Sequence, residues 1–263
     1  MKIVNAGGRI VNTYLYPVQE GGYVLVDTGY PGAFPRFLRR LRRAGIDVRD
    51  IAWVFLTHAH DDHAGFLNEL LRAAPRARLV LHSGAPTRLA RGQNPFQGGC
   101  TSRLALGFCR MMKLFGRGDH RFPPLCEALK DRIAIADGEK RPELEAALRG
   151  SIHETPGHTG DSISLLLRDG SLFCGDAAMN GFPSLHKITI WVEDREAFCA
   201  SWEKIIHLQP RRIYPGHGRP LHWQALKENL RRARAMALRA LAPEKCRGCG
   251  EILCRRMKSC SFR

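Results

Sequence analysis

The sequence predicts an α+β chain in which β-sheets pack together and helices lie outside them. Short apolar, β-branched runs are mixed with stretches of helical spacing in both halves of the chain. Two strand pairs are separated only by short turns, at 19–22 and at Asp169-Gly170, as hairpins are. The composition, 44% apolar over 263 residues, allows a sizeable core to be buried.

In chain order, "IVNTYLYPV" (10–18) and "GGYVLVDTG" (21–29) read as two strands joined by the Gly-containing turn 19–22. "AFPRFLRRLRRAG" (33–45) carries apolar residues at helical spacing and stops at Gly45. "IAWVFL" (51–56) is a strand running into Thr57. A helix over 63–73, the strand "RLVLHS" (78–83) and the short helix "GAPTRLARG" (84–92) follow. The stretch 93–124 differs: it holds glycines, a Pro-Pro pair and the apolar helical piece "SRLALGFCRMMKLF". Irregular segments of this length act as lids or binding loops, so a lid insertion is expected there. "RIAIADG" (132–138) and "SIHETPGHTG" (151–160) lead to the hairpin "SISLLLRDGSLFCGDA" (162–177). A helix over 194–207, the strand "RRIYPGHG" (211–218) and a long helix over 222–241 complete the series. The pattern leaves strand order open. The expected organisation is one catalytic domain over 1–242 and a Cys-rich basic tail over 243–263.

Composition narrows the setting. No run of about 18 apolar residues exists, so no membrane partner is expected. The opening "MKIVNAGGRIVN" lacks the apolar region of a secretory leader. Nine cysteines, an odd number with five of them scattered, argue against a disulfide framework and for a reducing cytoplasm. In the tail, Cys246, Cys249, Cys254 and Cys260 form a C-x2-C-x4-C-x5-C series that four-thiolate zinc binding would suit. The net charge is +16, with basic residues gathered in 36–43, 231–234 and 254–258. That excess fits either an anionic partner or solvated helix faces. Basic and aromatic residues are not interleaved as base stacking would require, so a nucleic-acid partner is the weaker expectation beside a small-molecule substrate.

The densest chemistry stands at residues 57–65, "THAHDDHAG". His58, His60, Asp62 and His63 are nitrogen and oxygen donors of the kind that suit zinc and its neighbours. Behind a buried strand, His58 and His60 can share one side of a turn while Asp62 and His63 swing toward a second point. That spacing suits two metals better than one. The alternative, a charged helix start capped by Asp61 or Asp62, leaves three clustered histidines unexplained.

"HAHDDH" resembles the H-x-H-x-D-H signature of the metallo-β-lactamase fold superfamily. "LVDTG" (25–29), "TPGHTGDS" (155–162), "LFCGDA" (172–177) and "YPGHG" (214–218) resemble its other motifs, in the family's order and over most of the chain. The resemblance implies a four-layer αβ/βα sandwich, with two mixed sheets, helices on the outer faces and metals at the edge between the sheets. It implies two Zn2+ per chain, with iron or manganese as alternatives. One would be held by His58, His60 and His158 and the other by Asp62, His63 and His217, with Asp176 bridging both. Asp62 would also steer a proton, and Asp27 would orient a ligand histidine.

Such a centre implies hydrolysis of an ester-type bond in a small molecule, a thioester, lactone or related ester, by a metal-bound hydroxide. The motifs are similar to those of glyoxalase II-type thioester hydrolases and of lactonases. The tyrosine that many lactonases carry after the bridging aspartate is replaced by "AAMNGFP" (177–183), which weakens the lactonase likeness. The rival readings are a metal-dependent phosphodiesterase or nuclease, which the basic excess favours, and a mononuclear iron sulfur dioxygenase.

Overall fold

A computed structural model describes residues 2–241 apart from 19–21 and 117. The tail 242–263, with the proposed four-cysteine zinc site, lies outside the described residues, as does most of the first hairpin's turn.

The first half contains β1 (Val4–Asn5), β2 (Tyr14–Pro17), β3 (Tyr23–Val26), α1 (Phe34–Arg43), β4 (Ile51–Phe55), α2 (Asp61–Ala64), α3 (Leu67–Ala73), β5 (Arg78–Leu81) and α4 (Ala85–Arg91). The insertion contributes β6 (Gly99–Cys100) and α5 (Arg103–Leu114). Then come β7 (Ile133–Ile135), α6 (Arg141–Leu148), β8 (Gly150–Glu154), β9 (Ile163–Leu167), β10 (Ser171–Gly175), β11 (Trp191–Val192), α7 (Arg195–Leu208), β12 (Arg212–Pro215) and α8 (Gln224–Ala235).

Two mixed sheets form. The first runs β1-β2-β3-β4-β5-β7, antiparallel across β1 to β3 and parallel from β3 onward. The second runs β12-β10-β9-β8, with β12 parallel to β10 and the other pairs antiparallel. Side chains alternate between faces along a strand, and here the alternation sorts the core into three slabs. On the first sheet Leu15, Leu25, Val54, Leu79 and Leu81 face outward to Phe37 and Leu41 of α1 and Leu67, Leu70 and Leu71 of α3. Tyr14, Tyr16, Val24, Val26, Phe55 and Val80 face inward to Leu165, Leu167 and Phe173 of the second sheet. Leu172 and Cys174 turn the other way, onto Phe198, Trp202 and Ile205 of α7 and Leu226 of α8. Three slabs between four layers give the expected sandwich.

Three helices differ from expectation. The helix expected over 63–73 is two pieces: α2 starts earlier, at Asp61, and α3 restarts at Leu67. Gly65 lies between them because a Cβ there would collide with Pro31 and with the Asp61 carbonyl. The helix expected over 222–241 ends at Ala235; the chain then extends, and Arg239 exchanges two backbone hydrogen bonds with Cys100. The helix α6 was not anticipated, its "RPELEAAL" burying only Leu144 and Leu148.

Candidate metal centre

Residues that could hold metal stand where strands end. β4 delivers His58, His60, Asp62 and His63; β10 delivers Asp176; β12 delivers His217; the loop from β8 to β9 delivers His158. The first group comes from one sheet and the rest from the other.

Asp27, just past β3, fixes the first group. Its Oδ1 accepts from the Thr57 amide (2.7 Å) and its Oδ2 from the Thr57 hydroxyl (2.8 Å) and from His63 Nδ1 (2.7 Å). This side chain is buried, so each of these bonds lies out of water and resists exchange. The His63 carbonyl accepts from both the amide and the hydroxyl of Thr28, at 2.7 Å each. Asp27 thus orients a histidine, as expected.

The remaining rings are aimed by similar anchors. His158 Nδ1 faces the Trp191 carbonyl at 2.8 Å, and His217 Nδ1 faces the Ile10 carbonyl at 2.9 Å. His58 Nδ1 lies 3.0 Å from the Thr57 hydroxyl, whose own proton goes to Asp27. A neutral imidazole that donates from Nδ1 presents a lone pair at Nε2. His58 Nε2 and His158 Nε2 nevertheless sit 3.2 Å apart, and His60 Nδ1 lies 3.1 Å from His158 Nε2. Three imidazole nitrogens converging to that distance in a buried site form a set that could share a cation.

Three donor groups meet the geometry for one: His58, His60 and His158; His58, His63 and Asp176; and Asp62, His63 and His217. Asp176 stands between the outer two. Its Oδ1 is 3.5 Å from His63 Nε2, and its Oδ2 is 3.4 Å from His217 Nε2 and 3.7 Å from His158 Nε2. Asp62 Oδ2 lies 3.1 Å from His217 Nε2. His63 Nε2 and Asp176 Oδ1 are buried without a hydrogen-bond partner, which is costly in a folded interior and is relieved by ligation. Gly216 leaves room: a Cβ there would lie 2.5 Å from His63 Cε1 and 2.6 Å from Asp176 Oδ1. The donor set therefore fits two divalent cations, all seven expected residues being brought together.

The electrostatics divide the site into two halves. Burial, reinforced by His63 and His158, pushes His58 well below the ordinary imidazole range; burial and His158 do the same to His60. In the other half burial also opposes charge, but Asp176 and Asp62 outweigh it and hold His217 up to about 10. Burial would keep Asp176 neutral, yet His217 and His63 reverse this and hold it well below the carboxylate range. A three-histidine pocket thus adjoins one with two carboxylates.

Sequence reasoning missed two supporting groups. Asp161 Oδ2 accepts from the Ala59 amide between His58 and His60 (2.9 Å), and its other oxygen pairs with Arg88 Nε (3.2 Å). Arg88 also grips both oxygens of Glu193, at 2.7 and 2.8 Å. Asp161 lay in the quoted "TPGHTGDS", but its long-range partner leaves no local mark. Asp61 ties the insertion to the metal motif: it exchanges bonds with Asn94 (2.8 and 2.7 Å), and His120 Nδ1 lies 3.3 Å from its carboxylate. His82 pairs with Asp137, His153 with Ser151, His186 with Arg232 and His222 with Arg212, all outside the cluster.

A family model described as the Metallo-beta-lactamase superfamily matches residues 6–217. The Beta-lactamase-like protein 2 homolog of Drosophila melanogaster is 29% identical over 215 residues, covering 79% of this chain and 58% of the fly protein. The chain thus spans little more than half the length of that relative. Among solved structures, a B3 metallo-beta-lactamase with an active-site glutamic acid aligns with a TM-score of 0.60 at 22% identity, over 89% of this chain and 85% of that one. TTHA1623 in a di-iron-bound form aligns with a TM-score of 0.56 at 22% identity, over 86% and 96%.

Proposed function

The chain belongs to the metallo-β-lactamase superfamily, and on that premise we propose that it is a binuclear metal-dependent hydrolase, with zinc as its metal, that cleaves an ester-type bond of a small molecule: a thioester, lactone or related ester. The observation that carries this reading is Asp176, whose two carboxylate oxygens reach toward histidines of both donor groups. Divalent cations held there would supply Lewis acidity toward a substrate carbonyl and toward water.

The chain's own residues then divide the work. His58, His60 and His158 would form one pocket and Asp62, His63 and His217 the second, with Asp176 common to both. Asp62 is the least buried of the carboxylates at the centre, with its side chain 14% exposed. Its Oδ2 lies 3.1 Å from His217 Nε2, and its partial exposure supports a role in accepting a proton from attacking water and passing it to the leaving group. The free cysteines among the described residues suit a reducing compartment, in keeping with a cytoplasmic enzyme.

One observation favours phosphodiester cleavage as a second reading. A cleft of about 410 Å3 beside Gly218 is lined by Arg9, Arg219, Asn5 and Asn12, and two arginines there would suit a phosphate. The test is a panel of thioesters, lactones and phosphodiesters run on metal-analysed protein. Turnover of a thioester or lactone, with two zinc ions per chain, is expected. Turnover confined to phosphodiesters, or one iron per chain with thiol-dependent oxygen uptake, would replace the reading. His60→Ala and Asp176→Ala should each lower metal content and reduce turnover by at least about a hundredfold; full activity in either would refute the ligand assignment.

A further inference from the structure

The helix α5 is out of keeping with the rest of the fold. Over Arg103–Leu114 only Ala105 is buried. Leu104, Met111 and Phe115 recur at intervals of seven and four and so share one face, with Leu114 beside them. That face points to solvent: Leu114 is 87% exposed and Phe115 74%. The patch continues onto the loop that follows Asp176, where Phe182 is 77% exposed and meets Phe108 edge-on at 6.1 Å. It reaches toward the metal motif on the other side, because the half-exposed Phe96 packs on His120, which pairs with Asp61. Apolar area of this extent, projecting and rimmed by polar residues, marks a contact surface.

The charges beside it select the occupant. Arg103 and Arg110, seven residues apart, form an exposed basic row alongside the apolar one. A second copy would bring like rows together in a chain that carries +16 overall. The large side chains stand exposed on the helix rather than sunk among neighbours, which suits a broad surface better than a single peptide. An apolar stripe flanked by arginines is the pattern of a helix lying in a bilayer's headgroup region, and it needs no spanning run. No helix among the described residues is long and apolar enough to cross a membrane.

We infer that α5, with Phe182 of the neighbouring loop, docks the protein on an anionic lipid surface. The patch borders the centre through the loop that follows Asp176 and through His120 on Asp61, so docking brings the lipid surface beside the metal centre. Resting on the hydrolase reading above, this makes the substrate an ester whose acyl group partitions into lipid. The docking itself is independent of that reading and is tested without turnover.

The full metal-loaded chain is co-sedimented with vesicles of phosphatidylcholine alone and with vesicles containing phosphatidylglycerol. Binding to the anionic vesicles is expected, with weaker binding to the neutral ones and loss on raising the salt concentration. Leu114→Glu with Phe115→Glu should lower vesicle affinity at least about tenfold at an unchanged melting temperature. Arg103→Gln with Arg110→Gln should remove the preference for anionic lipid. Equal binding by the wild type and the glutamate variant, or no binding to either vesicle, would overturn the proposal. So would a dimer in sedimentation equilibrium that the glutamate pair dissociates, because a second copy would then cover the face. A chain that docks yet hydrolyses no ester would leave the docking standing and remove only the substrate inference.

Discussion

Asp27 shows how much of the centre depends on residues that would not touch metal. It sits at φ 57°, the left-handed region, where its short polar side chain can turn back onto Thr57 and His63. Asn tolerates the same backbone, so Asp27→Asn isolates the carboxylate's effect. The amide keeps one acceptor oxygen but loses the charge and the second acceptor that His63 Nδ1 and the Thr57 hydroxyl share. The expected outcome is metal affinity lower by about 10- to 100-fold, the range seen when partners of metal ligands are removed. Competition against a chromogenic chelator measures it. An affinity equal to that of the wild type would show that His63 is held by its neighbours alone. The seven donor residues were legible because each sits in a short motif. The groups behind them, Asp161 with Arg88 and Asp61 with His120, were not, since Arg88 is 73 positions from Asp161 and His120 is 59 from Asp61.

At the scale of elements, legibility follows how local the determining physics is. The helix α7 was anticipated nearly to its ends because Asp194 marks its start. Asp194 Oδ1 accepts from the amides of Glu196 and Ala197, at 2.8 and 3.0 Å. Asp194→Ala should therefore destabilise the fold by about 1 kcal/mol, the usual worth of such a cap. In a chain of this size that is about 2–4 °C in the melting midpoint. Calorimetry of the variant tests this, and metal stoichiometry should stay unchanged; an unaltered midpoint would mean that α7 is held by Phe198 and Trp202 packing alone. The hairpin of β9 and β10 was equally local, with Gly170 at φ 82° in its turn. By contrast, the break between α2 and α3 depends on Pro31, and the early end of α8 on a pairing of Arg239 with Cys100. Strand order is the extreme case: β3 to β4 and β10 to β12 pair in parallel across intervening helices, and no local signal specifies that.

At the scale of the whole molecule the two sheets meet at the centre, so cation binding should join the halves. The acid–base state of the centre sets how strongly. In the metal-free chain His217 is held up to about 10, above the 6.5 of an unfolded histidine. Its contribution to stability is then fully present below about 6.5 and is lost as pH rises through about 10. His58 and His60 have the opposite sign: burial first of all keeps them neutral, so their contribution is present above about 6.5 and is lost on acidification. Chelated protein should accordingly be most stable near pH 6.5, losing stability steadily as pH rises toward about 10 and again on acidification. A cation entering the Asp62, His63 and His217 pocket must displace the proton that His217 retains. Affinity there should therefore strengthen at least about tenfold per unit from pH 7 to 9, with proton release. Calorimetric titrations in buffers of different ionisation enthalpy count those protons. The stabilisation of the loaded fold should follow the same slope, because a ligand that binds only the folded state stabilises it by about 1.4 kcal/mol per tenfold in affinity. An affinity independent of pH would mean that His217 gives up no proton to the cation. The two carboxylates would then be holding the pocket closed around a salt bridge rather than open for a metal.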